Sequence, residues 1–318
     1  MKVAFVGKGG SGKTTISALV SKHLASLGFP VMAIDADINQ HLGQALGLSK
    51  KEAQDMKPMG IEISKMKEYL RGSNPLILHS QSMIKTTPPG RGSALMKIAE
   101  ENPIYDYFSK MVSGIRFLAV GQFDESDLGV KCYHSKTGSV ELLLNHLLDK
   151  EKEYVLVDMT AGADSFASGL FTRFDITFLV VEPTIKSLSV YDQYKKFAKD
   201  FGVTIKVVGN KIEDQSDIDF IKDWVGDDLI AVFYRSSFIK KIDRGVGASF
   251  DELEPENKES LKKIVSEINS QKKDWEKFYR QAIFFHVQNA NSWANTSLGF
   301  DVTCQIDPNF SLTDIIGN

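Results

Sequence analysis

The sequence predicts an α/β fold: a doubly wound, mostly parallel sheet of about seven strands, flanked by helices. Two observations support this. Seven short runs rich in apolar and β-branched residues are typical of buried parallel strands, and helical patterns lie between most of them. The runs are 2–6, Val31 to Ile34, Ile115 to Val120, Tyr154 to Val157, Ile176 to Val181, Thr204 to Val208 and Leu229 to Phe233. The helical patterns include 139–149, 186–201 and 215–225.

The first strand, 2–6, runs directly into a glycine-rich motif, GKGGSGKT at 7–14. The spacing G-x-x-x-x-G-K-[ST] is that of a phosphate-binding loop, whose backbone N–H groups surround an anion. Thr15 to Leu27 then repeats apolar residues at helical spacing, and a helix N-terminus favours negative charge. Strand, loop and helix occur in the order that nucleotide binding requires, so a chance glycine-rich turn is a poor explanation. The predicted phosphate-binding residues are Gly9, Gly10, Ser11, Gly12, Lys13, Thr14 and Thr15.

Lys13 is expected to reach the β- and γ-phosphates of the nucleotide, and the Thr14 hydroxyl is expected to hold Mg²⁺. Lys8 is not needed by an ordinary phosphate loop. The string KGGSGKTT at 8–15 resembles the K-G-G-x-G-K-T-T loop of the MinD/ParA/ArsA/nitrogenase iron-protein class, which are P-loop NTPases of the SIMIBI group. The resemblance implies ATP as nucleotide, a homodimer formed on ATP binding, and a catalytic Lys8 that crosses the dimer interface, like an arginine finger. The alternative for Lys8 is a solvated surface charge.

The same resemblance assigns roles to the ends of the second and fourth strands. Asp35 and Asp37 resemble the first switch of the class, in which the second aspartate orients or deprotonates the attacking water; Asp35 joins the Mg²⁺ site. The alternative is a helix cap, and both roles are compatible. Asp158 resembles the second switch and would hold Mg²⁺ directly or through water, and the Gly162 backbone would sense the γ-phosphate.

Base recognition is predicted at the end of the sixth strand. Asn210 and Lys211 follow Val208-Gly209, where the class has an asparagine that pairs with adenine. Asn210 offers both a donor and an acceptor to a base, although a turn asparagine is the alternative. The run 231–234 resembles a second base-side loop, with Phe233 in place of the usual proline.

Two further strings resemble the CooC-type ATPases, which assist nickel insertion into carbon monoxide dehydrogenase. They are VVEPT at 180–184 with the following Ser187-Leu188, and the stretch 158–169. In the second string Asp164, Ser165 and Ser168 replace the Glu-His and Arg of that family. The C-x-C metal motif of CooC corresponds to Cys132-Tyr133-His134. Two protomers would offer two thiolates and two imidazoles to Ni²⁺ or Zn²⁺. The alternative is a half-buried cysteine beside a surface histidine.

Composition limits the remaining possibilities. The chain has 318 residues, is 42% hydrophobic and 25% charged, and carries a net charge of −3. We expect a cytoplasmic protein that binds neither nucleic acid nor membrane, because it lacks a strongly basic balance, a long apolar run and a signal peptide. Two cysteines do not form a disulfide framework.

The expected organisation is an ATPase domain over 1–249, with an insertion at about 49–114, and a C-terminal helical and irregular extension over 250–318 packed on it. The predicted function is a dimeric switch that binds ATP and hydrolyses it slowly, and that drives an unknown client protein, with metallocentre assembly as the favoured process. Two alternatives stay open: a ParA- or MinD-like positioning ATPase, and a regulatory ATP-binding protein with little turnover.

Overall fold

A computed structural model describes residues 1–122, 133–160, 169–243 and 249–316. The strands are β1 Lys2–Gly7, β2 Val31–Ala36, β3 Met96–Lys97, β4 Ser109–Val112, β5 Ile115–Ala119, β6 Leu147–Leu148, β7 Tyr154–Met159, β8 Ile176–Val181, β9 Ile205–Ile212 and β10 Leu229–Tyr234. Eight of them form the main sheet, in the order β10-β9-β8-β1-β7-β2-β5-β4, and β3 and β6 form a separate two-stranded sheet.

The fold class predicted from the sequence is confirmed, with one more strand than expected. All neighbours in the main sheet are parallel except β4, which is antiparallel to β5. The sequence SKMV of β4 is only partly buried, so it lacks the apolar run that marks the other strands. Ser113 and Gly114 both have positive φ angles, 51° and 78°, as a tight two-residue hairpin requires. Residues 109–112, at the end of the predicted insertion, thus form an edge strand of the main sheet.

The described helices lie on both faces of the sheet. They are α1 Lys13–Ser26, α2 Leu42–Leu46, α3 Lys50–Gln54, α4 Ile63–Arg71, α5 Pro103–Phe108, α6 Tyr133–Asn145, α7 Ile185–Lys199, α8 Gln215–Val225, α9 Ser237–Asp243, α10 Pro255–Ser270, α11 Trp275–Asn289, α12 Asn295–Leu298 and α13 Leu312–Ile316. The prediction of one helix over 139–149 was wrong: α6 ends at Asn145, and 147–148 forms β6. None of the described helices is both long and apolar enough to span a bilayer.

Side chains alternate between two hydrophobic cores, one on each face of the sheet. In β1, Ala4 and Val6 belong to one core, whereas Val3 and Phe5 belong to the other. This alternation follows from the two-residue period of a strand. Every residue of β1 is buried because helices cover both faces. The strand thus holds the loop that follows it in a fixed position.

The C-terminal region packs on this core. Helix α10 contributes Leu261, Ile264 and Ile268 to the core that also contains α1. Helix α11 packs on a 3₁₀ turn, Gly169–Arg173, where buried Arg173 donates to the Phe278 carbonyl at 2.9 Å. The predicted extension is more regular than expected, since α11 continues through a π-helical turn, Ala290–Ala294, into α12.

Candidate functional site

The glycine-rich loop follows the carboxyl end of β1, whose neighbours in the sheet are β7 and β8. Helix α1 begins at Lys13, and the residue before it, Gly12, has φ +93°. The Ser11 N–H donates to the Lys8 carbonyl at 3.0 Å, which closes a tight turn. Ser11 is buried, and its hydroxyl has no hydrogen-bond partner among the described residues. The loop therefore has the strand–loop–helix geometry that the motif predicts.

Asn210 holds this loop from the side. Its Nδ2 donates to the Ser11 carbonyl at 2.7 Å, and its side chain is buried. A Cβ placed on Gly12 would lie only 2.1 Å from Asn210 Nδ2, so position 12 has no room for a side chain. The amide donor of Asn210, predicted to face a base, is thus engaged with the loop in this structure.

Lys13 projects into a group of buried carboxylates. Its ammonium forms an ion pair with Asp37, the residue directly after β2. Burial lowers the pKa of Lys13, but Asp158, Asp37 and Asp35 outweigh it, so the net shift of that pKa is upward. Three carboxyl groups thus lie around one ammonium in a region of low solvent exposure, and they keep that ammonium in its charged form.

Thr14 connects α1 to the end of β7. Its hydroxyl donates to Asp158 Oδ2 at 2.5 Å. The second oxygen, Asp158 Oδ1, is buried without a hydrogen-bond partner in the described part of the chain. Burial raises the pKa of Asp158 to about 7, against the opposing effects of Lys13 and Thr14. An unpaired buried carboxylate oxygen is costly unless a cation or proton compensates it.

Asp35 organises the loop that carries Asp37. Its two oxygens accept the backbone N–H groups of Asp37 at 3.2 Å and Leu42 at 2.8 Å. Leu42 is the first residue of α2, whose N-cap is His41, so Asp35 contacts the start of this helix without being its N-cap residue. The pKa of Asp35 is raised well above its ordinary value, by burial and then by nearby Asp158.

Two lysines lie on the outer side of the loop. Lys8 donates to the Lys186 carbonyl in α7 of the same chain at 3.3 Å. Lys211 donates to the Gly10 carbonyl at 2.8 Å and to Glu182 Oε1 at 2.6 Å. The contact made by Glu182 was not predicted, although the VVEPT string contains this residue. Glu182 follows β8 and Lys211 lies near the end of the neighbouring β9, so their proximity depends on a strand order that the sequence alone does not determine.

Three predicted residues are not placed at the site. Gly162 and Cys132 lie outside the described residues, and of His134 only the helical backbone is described. Among residues 1–122, 133–160, 169–243 and 249–316, no group of three or more His, Cys, Asp or Glu side chains is arranged to hold a metal ion. Cys304, the cysteine that is described, is exposed. The remaining predicted residues lie at the carboxyl-terminal edge of the parallel sheet. They are Lys8 to Thr15, Asp35, Asp37, Asp158, Asn210 and Lys211.

Comparisons with known proteins also indicate a nucleotide-binding domain. The sequence profile of the CobQ/CobB/MinD/ParA nucleotide binding domain matches residues 3–248. The carbon monoxide dehydrogenase accessory protein CooC of Rhodospirillum rubrum is 32% identical over 257 residues, which are 80% of this chain and 91% of that protein. An uncharacterized ATP-binding protein of Methanocaldococcus jannaschii is 29% identical over 72% of this chain and 81% of its own length. MinD of Pyrococcus horikoshii, solved with Mg-ADP, has a TM-score of 0.55 at 16% identity, covering 85% of this chain and 97% of its own.

Proposed function

The chain belongs to the CobQ/CobB/MinD/ParA family of nucleotide-binding domains, and from this premise we propose that it is a Mg²⁺-dependent ATPase that works as a dimeric switch in metallocentre assembly. The observation that carries the proposal is the convergence at one sheet edge of Lys13, Thr14, Asp37 and Asp158. A phosphate loop alone supports nucleotide binding. Carboxylates around its lysine and threonine add what phosphoryl transfer needs.

The residues present fit a magnesium ion. Mg²⁺ prefers oxygen ligands, and the Thr14 hydroxyl and the Asp158 carboxylate supply them side by side. The unpartnered Asp158 Oδ1 supports this assignment, since a bound cation would compensate its buried charge. We propose that Thr14 and Asp158 hold the ion, and that Asp35, which accepts the Asp37 and Leu42 N–H groups, fixes the loop of Asp37. When bound, Mg²⁺ would neutralise phosphate charge.

Lys13 and Asp37 have separate roles in phosphate binding and in activation of water. Lys13 binds the β- and γ-phosphates once it leaves Asp37, and Asp37 then orients the attacking water or takes its proton. The ion pair between them keeps both side chains near the reaction centre before nucleotide arrives. Binding must exchange one anionic partner of Lys13 for another, so the two steps are linked through a single ammonium group.

Lys8 supports the dimeric part of the proposal. Its ammonium makes one long hydrogen bond to a backbone carbonyl and is partly exposed, so it can reach a second protomer without breaking an ion pair in the described chain. A lysine supplied by the partner would stabilise charge that develops on the transferred phosphoryl group. Hydrolysis would then depend on dimer formation, which makes the protein a switch.

Metallocentre assembly is proposed from the similarity to CooC, which covers 91% of that protein. Cys132 and His134 are the residues of this chain that correspond to the C-x-C of that family, and we propose that two copies of the pair hold a transition metal ion. The client would be a metalloenzyme. We place the protein in the cytoplasm, acting without nucleic acid or membrane.

The first experiment measures metal content and solution mass of the purified protein, with and without ATP and Mg²⁺. The parent is compared with Cys132→Ala and with a matched control, Cys304→Ala, which removes the exposed cysteine of the C-terminal region. We expect one transition-metal ion per ATP-stabilised dimer, lost in Cys132→Ala and kept in Cys304→Ala.

The other outcomes separate the parts of the proposal. A dimer that forms with ATP but contains no metal would overturn the role of Cys132 and leave the switch intact. A protein that binds ATP as a monomer, with turnover independent of protein concentration, would overturn the dimeric mechanism. Turnover that stays negligible in the dimer would favour a regulatory ATP-binding protein instead.

A further inference from the structure

Helix α8 carries two aromatic side chains that belong to neither hydrophobic core. Phe220 and Trp224 are 39% and 38% exposed, whereas Ile221 and Val225 of the same helix are buried in one of the cores. Neither ring is among the partly buried side chains that pack against the two cores of the described chain. Because the rings are four residues apart, they lie next to each other on the outer side of α8.

The surface around these rings is acidic. Residues 213–228 contain seven Asp and Glu residues and one Lys, a net charge of −6 in a chain whose total is −3. Asp217 and Asp223 precede and follow Phe220 by three residues, and Asp219 precedes Asp223 by four, so all three border the rings. Within the residues that the structure describes, no Lys, Arg or His side chain forms an ion pair with any of the three. We define the α8 face as Asp217, Asp219, Phe220, Asp223 and Trp224.

Two neighbouring acidic side chains are paired within the chain. Glu213 Oε1 lies 2.7 Å from Arg235 Nε. The two oxygens of Asp228 lie 2.8 Å from Lys195 Nζ and 3.2 Å from Lys206 Nζ. Basic side chains are thus present nearby, yet these three pair with other carboxylates and leave the charge of the α8 face in place.

Helix α8 holds this face in a fixed position. Asp214 caps the helix by accepting the Ser216 N–H at 2.8 Å, and Ile221 and Val225 anchor its inner side in the core. The helix leads from the end of β9 to the start of β10, so Trp224 lies toward the amino ends of these parallel strands, away from the phosphate loop. A rigid face loses little conformational entropy when a partner binds.

The chemistry of the α8 face selects one kind of partner. Carboxylates repel the phosphates of nucleic acids and of anionic lipids, so neither is a suitable ligand. They attract Lys and Arg side chains, whose aliphatic parts also cover aromatic rings. Aromatic rings with a polar border are typical of the centres of protein–protein interfaces. The face therefore fits a protein surface on which apolar side chains lie between Lys and Arg residues.

The spacing of the face also indicates the shape of that partner. Side chains three and four residues apart form ridges on a helix, and the ridges of one helix fit the grooves of another. An extended segment would instead need the free backbone groups of a sheet edge, which a helix does not offer. We propose that the α8 face binds a basic amphipathic helix of a partner protein. This inference goes beyond the proposed function, because it requires neither the phosphate loop nor Cys132.

Binding of a synthetic peptide to the full chain tests this. The probe has about 18 residues of Leu, Lys and Ala, with Leu at helical spacing and Lys beside it, and the control peptide has Glu in place of every Lys. Calorimetry compares the parent with Trp224→Ala and with Phe300→Ala, which removes a similarly exposed ring of the C-terminal region. We expect the parent to bind the basic probe at least about tenfold more tightly than the acidic one. Trp224→Ala should weaken the basic probe about tenfold, and Phe300→Ala less than about twofold.

A second pair of variants tests the carboxylates without changing the size of any side chain appreciably. Asp219→Asn/Asp223→Asn should weaken the basic probe about fivefold and reduce the loss of affinity between about 50 and about 500 mM NaCl. Glu256→Gln/Glu259→Gln, on exposed positions of α10, is the matched control and should change the affinity less than about twofold. ADP affinity should stay within about twofold of the parent in every variant, which shows that the fold is intact.

The outcomes that contradict the inference are specific. It is overturned if the basic probe does not bind the parent, or if Trp224→Ala and the double Asn variant bind it as tightly as the parent does. A parent that associates with itself through this face, with a concentration-dependent mass that Trp224→Ala abolishes, would also overturn it. A parent that binds the probe but not ADP would overturn the proposed function and leave the α8 face supported.

Discussion

Lys13 and Asp37 form a buried ion pair that joins the first turn of α1 to the end of β2. Lys13 is the lysine of the phosphate loop, and Asp37 is the candidate group for activating water. In the described chain, therefore, the residue that should bind phosphate is held by the residue that should start hydrolysis. Asp37 also accepts the Asn39 N–H at 3.0 Å, so the pair fixes the conformation of the loop after β2.

Replacing Asp37 with Ala should strengthen ATP binding and stop hydrolysis. Lys13 would no longer have to leave a carboxylate, and a coupling of about 1 kcal/mol corresponds to about fivefold in affinity. The water would lose its activating group. Calorimetry gives the affinity, phosphate release gives the rate, and mass in solution should show an ATP-bound dimer that persists. Hydrolysis at the parental rate would remove Asp37 from the mechanism.

Replacing Lys13 with Ala should reduce ATP binding below detection in calorimetry. The variant loses charge-assisted hydrogen bonds to two phosphates, which is roughly a hundredfold or more in affinity. It also leaves three carboxylates without their ammonium partner, which disfavours an anionic ligand. Lys22→Ala, near the other end of α1, is the control for changes in charge and helix stability. Unchanged affinity for ATP would overturn the phosphate-loop assignment.

The sequence allowed the strands and the loop to be predicted because their signals are local. Continuous apolar runs mark strands buried on both faces, and the glycine spacing marks the turn before α1. Contacts between distant segments were different. The hydrogen bond from Asn210 to the Ser11 carbonyl joins residues 199 positions apart, and the pairing of Lys211 with Glu182 depends on which strands are neighbours. Strand β4 was missed because an edge strand with partly exposed side chains has no apolar run.

Gly12→Ala should disrupt the phosphate loop more than a glycine replacement elsewhere at similar φ. The added methyl group would lie 2.1 Å from Asn210 Nδ2, in addition to the strain of φ +93°. Gly28→Ala is a matched control, because Gly28 has φ +82° and open space around it. We expect both to lower the melting temperature, and only Gly12→Ala to weaken ADP binding about tenfold or more. Equal ADP affinity in the two variants would mean that the Asn210 contact is unimportant.

His146 should make the protein less stable as the pH falls from about 6.5 to about 4. Burial lowers its pKa to about 4, and its Nε2 has no partner among the described residues. In this pH range the histidine of the unfolded chain, with an ordinary pKa of about 6.5, binds a proton that the folded protein does not bind. The free energy of unfolding therefore decreases as the pH is lowered. Urea unfolding at pH 7 and 4.5 should show that His146→Gln removes about 2 kcal/mol of the decrease. The exposed His79→Gln should retain the full decrease, and an identical pH profile in His146→Gln would contradict the prediction.

Lys273→Met should destabilise the whole protein, because Lys273 ties the segment between α10 and α11 to the start of the sheet. Its ammonium lies 2.8 Å from Asp149 and 2.7 Å from Asp175, and the Asp149 carboxylate also pairs with Lys2 at 2.9 Å. Removing one partner leaves buried carboxylates with too little positive charge, which costs about 3 kcal/mol. Lys272→Met, at the neighbouring exposed position, should cost less than about 0.5 kcal/mol. Urea unfolding measures both; a Lys273 variant as stable as the Lys272 variant would show that the C-terminal region is held by its apolar contacts alone.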